Sequence, residues 1–526
     1  MGNDERFQDV LPTLTHAPPH KAQGWIAWHE QVSSMFTTQF RSMGRPCASV
    51  LLVVTVTVMV TGFGGCAVGP TYQAPVPKAA VQWYSPLPHG GSEAALADWW
   101  AQFDDPALTH LVAWAQAEST SLAQAWANIE KARATLSTDR SGGLPNVGAS
   151  ASSTRSRQQL TADQATLSTV SSAGLDASWE IDLFGKLRRN AEAASARIDA
   201  RVADWHDARV SLAAEVADTY VQYRACKLLA DVYNRELQSQ TATQQATASM
   251  VMAGLSAPAD GALVRASLAG SRSSALRQRA SCTVLLQSLV YLTGHEQPDL
   301  LTALAASGPA MPSPKGLRVA KVPAQVLRQR PDLASLEREL AATSAEIGAA
   351  QADRYPSVSL SGSIARASTG SSGSAYTRWS FGPQLSLPLF EAGKRQAAVD
   401  SAQASYRSAL AGYQAGVRLA VKEVEQALVN LDSSVNRSDE SRRAAQAYRE
   451  YFTASEANWR AGSTSLLNLE EARRSALSAD IDDINLQQGQ ISHWIALYKA
   501  LGGGWTPDAS AELSTNAAPR PPKNTP

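Results

Sequence analysis

Polar and apolar residues alternate strictly along four short stretches of the chain, and long runs without alternation follow. In Leu175–Leu183 every odd position is apolar and every even one polar. Val358, Leu360, Gly362 and Ile364 alternate with Ser357, Ser359, Ser361 and Ser363, and Leu385, Leu387 and Leu389 with Gln384, Ser386 and Pro388. Val147, Ala149 and Ala151 give the weakest case. Period-two alternation predicts strands with one apolar and one polar face, here near 144–157, 173–184, 355–366 and 377–390. Any one of them alone is equally an ordinary half-buried hairpin strand.

From Lys186 to Ala253 there is neither Gly nor Pro, and from Lys394 to Ala461 only Gly412 and Gly416 interrupt. These helix-favouring runs predict helices roughly 100 Å long at 1.5 Å per residue. Both reach a glycine, Gly254 and Gly462, where a left-handed residue lets the chain reverse, and a second helical run follows. The unit is strand, strand, long helix, turn, returning helix. It occurs twice: Glu215-Val216 matches Glu423-Val424, and Ala253-Gly254 matches Ala461-Gly462, both at an offset of 208. Leu144-Pro145-Asn146-Val147 matches Tyr355-Pro356-Ser357-Val358 at 211, and Leu183-Phe184-Gly185-Lys186 is echoed by Leu389-Phe390 and Gly393-Lys394. A near-constant offset over several anchors indicates an internal tandem duplication. The expected segments are 111–294 (a helix, two strands and the hairpin 186–294), a connector 295–330, and 331–502 with the hairpin 394–502. A segment 66–110 precedes them and a polar tail 503–526 follows.

The N-terminus carries an export pattern. Arg41 and Arg45 precede the apolar run Ala48–Val60, and Gly64-Gly65-Cys66 follows. The run is short for a span of roughly 20 residues, which favours a signal peptide ending at 65 over an inner-membrane anchor. The acidic stretch before it contains Asp4, Glu5, Asp9 and Glu30, so translation is expected to start at Met43. Gly64-Gly65-Cys66 resembles a lipobox, which implies lipidation at Cys66; Ala67 in place of an Asp implies the outer membrane of a Gram-negative cell.

Of the four cysteines, Cys47 would leave with the signal. Cys226 lies 28 residues before Gly254 and Cys282 lies 28 after it. In an antiparallel hairpin pivoting at Gly254 they stand at one height, which predicts a disulfide in an oxidising compartment; two buried thiols are the alternative, because helix rotation is not known from sequence.

The 526 residues carry 47 Lys+Arg and 47 Asp+Glu. A net charge of zero argues against nucleic-acid binding, which needs a basic excess. No zinc spacing, His-Glu-x-x-His pattern, phosphate loop or Gly-x-Ser-x-Gly elbow occurs, so neither an enzyme, a metal site nor a cofactor is expected. Trp83, Trp99 and Trp100 are candidates for packing at a belt around the helices, or for interface anchors.

Taken together, Cys66-Ala-Val-Gly-Pro-Thr-Tyr72, Trp179–Gly185, Arg330-Pro-Asp332, Leu387-Pro-Leu-Phe390 and the two turns resemble the outer membrane factor family. These are the TolC-like channels of tripartite efflux pumps, and the likeness is greatest to the OprM/NodT-type lipoprotein branch. The resemblance implies a mixed α and β membrane protein. Three chains of four strands would form one twelve-stranded outer-membrane barrel, continued by a long periplasmic α-helical barrel. It implies a passive exit duct for drugs or other small molecules, with a periplasmic adaptor and an inner-membrane pump as partners. Gly254, Leu255, Gly462 and Ser463 would be the adaptor-docking tips, and Asp260, Asn468, Glu471 and Arg460 the periplasmic gate. Thr464 stands where relatives carry a basic residue, and Asn468 makes one of two usually acidic rings neutral. A tethered periplasmic coiled-coil lipoprotein is the rival reading, though it leaves the strands and the duplication unexplained. A type I protein secretion conduit would share the fold.

Overall fold

The structure is a computed structural model that describes residues 67–76, 83–85, 96–161, 164–308, 310–312, 327, 329–370 and 375–505. The signal segment, Cys66 and the tail beyond Trp505 lie outside the described residues.

After a 3-10 turn at Leu96–Phe103 come α1 (Pro106–Glu118) and α2 (Thr120–Ser141). Then follow β1 (Asn146–Thr161), β2 (Gln164–Ile181), α3 (Lys186–Met252) and α4 (Pro258–Thr293). The short α5 (Gln297–Ala305) precedes the second set: α6 (Pro331–Ala352), β3 (Ser357–Thr369), β4 (Tyr376–Ser386), α7 (Lys394–Arg460) and α8 (Leu466–Ala500).

The long helices α3 and α7 have 67 residues each. Each starts after a glycine at φ 84°, Gly185 and Gly393, a conformation that costs a residue with a Cβ about 1 kcal/mol or more. At α3 the Asp182 carboxylate accepts from the free N–H groups of Leu187 and Arg188 at 3.2 and 3.0 Å, where acidic oxygens stabilise a helix start. The helices end alike. Leu255 N–H donates to Met250 O at 2.8 Å, and Ser463 N–H to Asn458 O at 2.9 Å, each around a glycine at positive φ. This is the six-to-one bond that closes a helix end and turns the chain back.

The strands form one antiparallel sheet in the order β1-β2-β3-β4, so β2 pairs with β3 across the two halves of the chain. β2 starts nine residues before its expected position, and β1 runs to Thr161 rather than 157. Ser, Thr and Gln predominate there with Leu167 and Val170 out of period, so the backbone ladder continues where the alternation is lost. β3 runs three residues past 366, to Thr369. β4 stops at Ser386 rather than 390, just short of Pro388, which has no N–H to donate to a ladder. The expected connector 295–330 contains α5, and the segment 66–110 already contains the start of α1 at Pro106.

The main core is a belt midway along the helices. Trp99, Leu108, Leu111, Tyr220, Leu289, Leu428, Leu431 and Trp494 are buried in it. Trp99 packs on Tyr498 at 5.1 Å between ring centroids, so it belongs to this belt. Arg330, at the Arg-Pro-Asp motif, is 7% exposed and pins the start of α6 by donating to Ala500 O, Asp332 and Glu423. Cys226 on α3 and Cys282 on α4 are joined by a disulfide with Cα atoms 5.5 Å apart.

Candidate functional site

The register sorts the sheet residues into two faces. On one, Val147, Ala177, Gly362 and Phe381 lie in a row, followed by Ala149, Leu175, Ile364 and Trp379. On the other, Ser152 pairs with Ser172 and Ser363 with Ser380, hydroxyl to hydroxyl at 3.0 Å, and Ser150 donates to Asp176 at 3.1 Å. Leu175, Ile364, Trp379, Phe381 and Leu385 are all exposed. One apolar and one hydroxyl-lined face suit a wall between lipid and water. No described helix is long and apolar enough to cross a membrane.

At the other end of the molecule the two turns present Gly254 and Leu255, and Gly462 and Ser463, all exposed. Asp260 is half-buried in the first turn of α4 and accepts from Ser256 Oγ at 2.7 Å. Arg460 pairs with Glu456 on its own helix at 3.1 Å. That geometry spends the guanidinium locally, and within one chain no bond joins it to Asp260 or Glu471. Asn468 donates its side-chain N–H to Thr464 Oγ1 at 3.1 Å, and Glu471 is exposed. The four expected gate residues therefore sit near the tips without forming one cluster in a single chain.

A cluster does exist behind them, one that sequence reasoning missed. Arg473 and Glu470 on α8 form an ion pair whose side chains are 3% and 8% exposed. Gln240 on α3 donates to Glu470 at 2.7 Å, Arg473 donates to Thr243 Oγ1 at 2.7 Å, and the guanidinium lies 5.4 Å over the Phe452 ring of α7. Glu236 adjoins this group and accepts from Ser271 Oγ of α4 at 2.8 Å. Burial pushes its carboxyl above the ordinary range, against the lowering pull of that bond and of Arg473. Counting residues from Gly254 and Gly462, the cluster spans roughly 12–27 Å from the tips. Nearer the tips Val264, Leu466 and Leu469 bury together against Phe452 and Trp459. Both hairpins are thus tied to each other just behind their turns. The only sequence signal was an i,i+3 Glu-Arg pair, which surface helices carry everywhere.

The outer membrane efflux protein family model matches residues 111–295 and again 322–503. The chain is 30% identical over 461 residues to nodulation protein T of Rhizobium leguminosarum bv. trifolii, covering 85% of this chain and 97% of that protein. It is also 30% identical over 455 residues to the solvent efflux pump outer membrane protein SrpC of Pseudomonas putida, covering 84% and 96%. Among solved structures the outer-membrane channel OprN matches with a TM-score of 0.73 at 31% identity, covering 84% of this chain and all of that one. The Campylobacter jejuni CmeC outer membrane channel shares the fold at a TM-score of 0.78 and 23% identity. The chain belongs to the outer membrane efflux protein family: it is an outer-membrane channel component of a tripartite efflux system.

Proposed function

We propose that three copies close into one twelve-stranded barrel and a continuous helical tunnel, forming a passive, non-enzymatic exit duct for small molecules. The observation that carries this is the pair of unfinished sheet edges. Within the chain, Phe184 at the exit of β2 stacks on Tyr355 at the entry of β3, with ring centroids 4.7 Å apart. The equivalent residues of the other seam are Phe390 after β4 and Leu144 before β1, and these are 89% and 64% exposed. Each open edge thus carries one half of a contact that the chain already makes once internally. Lipid does not tolerate an unpaired strand edge, so β4 of one copy joins β1 of the next. The twofold match of the family model supports the tandem duplication that makes the two seams alike.

Cys66 would carry the lipid anchor. Ala67, the next residue, packs so closely on Gly185 that a Cβ there would lie 3.0 Å from it, and Val68 N–H donates to Phe184 O at 3.2 Å. Ala67 and Val68 thus lie at the junction of sheet and helices, which suits an anchor on the preceding residue at the level of the membrane's periplasmic surface. The tips at Gly254, Leu255, Gly462 and Ser463 would dock the adaptor, and the inner-membrane pump would supply the energy. Asp260, Asn468, Glu471 and Arg460 would face their counterparts on neighbouring copies at the gate, with the Arg473–Glu470 cluster as the pivot behind them. Relatives named for solvent and antibiotic efflux support a small-molecule cargo.

The test is the mass of the mature protein in detergent together with its single-channel current in a planar bilayer. A trimer with discrete conductance is expected, and Phe390→Ala should shift the mass toward monomer. A wild-type monomer or dimer without conductance would overturn the duct.

A further inference from the structure

The apolar face of the sheet does not stay apolar to its far end. Moving away from the helices, the row of Ala149, Leu175, Ile364 and Trp379 gives way to one containing Ala151, Ala173, Arg366 and Thr377. The next holds Ser153, Ser171 and Ser368, with Ser153 and Ser171 hydrogen-bonded at 2.9 Å. Beyond it come Arg155 opposite Thr169 and Arg157 opposite Leu167. All three arginines are exposed on the lipid-side face.

Arg155 and Arg366 are not independent. They lie 211 residues apart, the same offset that relates Val147 to Val358. Each stands eight residues beyond that valine, about 27 Å along the strand at 3.4 Å per residue. At a strand tilt near 40° this is roughly 20 Å of height, about the far edge of an outward apolar band some 25 Å tall. Each also faces a threonine across its hairpin, Thr169 and Thr377. Along the register Arg155 stands four residues beyond the row of Arg366; strand tilt takes up such a stagger when the hairpin repeats around a barrel, which would set one arginine per hairpin at one level, six around a closed trimer.

We propose that Arg155 and Arg366, with Arg157 above and the serine hydroxyls beside them, bind the phosphate groups of an outer-leaflet lipid that carries more than one phosphate. Guanidinium forks match phosphate oxygens in two-point contacts, and hydroxyls complete the shell. The level fits headgroups rather than acyl chains, because the large apolar side chains Leu175, Ile364 and Trp379 lie below it, while arginine, serine and threonine enter the same face at it. A charge on a lipid-side face is costly at mid-membrane, but at the headgroup level each arginine contributes attraction to an anionic surface. This assignment rests on the barrel reading above for its orientation and for the ring of six.

The experiment is native mass spectrometry of the purified lipoprotein in detergent, titrated with bis-phosphorylated lipid A, its monophosphoryl form, phosphatidylglycerol or inorganic phosphate. Wild type should retain lipid A on a trimer, and the monophosphoryl form less well. Arg155→Gln/Arg366→Gln should lower lipid A retention on the order of tenfold while leaving trimer mass and conductance unchanged. The same sites as lysine should recover part of the binding. Equal retention of lipid A by wild type and the glutamine variant would overturn the proposal, as would retention of phosphatidylglycerol and lipid A alike. Retention of inorganic phosphate alone would mean an anion site without a lipid and would also overturn it. A wild type that never forms a trimer would instead bring down the barrel reading, a failure seen in the mass before any lipid is added.

Discussion

Replacing Arg473 with methionine tests the buried cluster behind the tips. Methionine keeps the length and apolar bulk of the side chain, so packing against Phe452 is largely preserved. What goes is the guanidinium that pairs with Glu470 and donates to Thr243 at 2.7 Å. Glu470 is then left 93% buried with Gln240 as its remaining partner, because the residue is only 7% exposed. Removing one member of a buried pair costs about 3–5 kcal/mol, most of it the desolvation of the stranded charge. Arg473→Met should therefore lose about 3 kcal/mol or more in thermal unfolding followed by helical circular dichroism at fixed protein concentration. Adding Glu470→Leu should restore most of the loss, since an apolar pair of similar volume is tolerated where half an ion pair is not. If the cluster is the pivot, the single variant should also leak: closed-state conductance should rise, and cells should admit a large antibiotic. A loss under 1 kcal/mol, or a double variant as unstable as the single one, would refute the energetic argument. A destabilised channel with unchanged leak would leave the cluster as a structural clasp and remove it from the gate.

Other expectations follow from the same geometry. His206 is buried and lowered to about 4 by burial first and Arg209 second, so the unfolded chain binds its proton earlier as pH falls. Stability should rise with pH from about 4 to about 6.5, by roughly 2–3 kcal/mol, and His206→Phe should flatten that part of the profile. Glu236, raised by burial, has the opposite sign: its stability is full below the ordinary carboxylate pKa and is lost as pH rises through the folded-state value. Glu236→Gln should therefore unfold at a higher temperature at pH 7 than wild type, with the advantage shrinking at pH 4. Gly69 has φ +101° and a Cβ there would lie 2.3 Å from Gly348 Cα. Gly69→Ala should detach the segment from Ala67 to Val76, measured as faster proteolysis near Val76 with the helices left intact.

What could be read from sequence follows from which forces leave a local trace. Strands were legible where one face is apolar and the other hydroxyl-bearing, as in Leu175–Ile181. They were lost between Gln158 and Ser172, where Leu160, Leu167 and Val170 fall at irregular spacing among Ser, Thr and Gln and give no period of two. The hairpin turns were legible because a glycine at positive φ ends each 67-residue helix. Cysteine heights could be compared by counting, because a fixed rise per residue turns sequence distance into length. The buried cluster left no such trace. Gln240 and Glu470 are 230 residues apart, and their meeting depends on how one hairpin lies against the other. Arg330 was noticed as part of a motif, yet its bonds to Ala500 and Glu423 depend on the same tertiary arrangement.

The equal lengths of α3 and α7 have a consequence for how such a chain can change over generations. In the proposed tunnel this equality would bring both tips to one height, so an adaptor docking there would meet a level rim rather than a staircase. A longer or shorter tunnel cannot then arise from one insertion. An added stretch in α3 must be matched in α4 to keep the bonded Cys226 and Cys282 abreast, and again in α7 and α8 to keep the rim even. Height in this molecule is a quantity held jointly by four helices, and a lineage facing a wider periplasm would have to lengthen all four or tilt its rim.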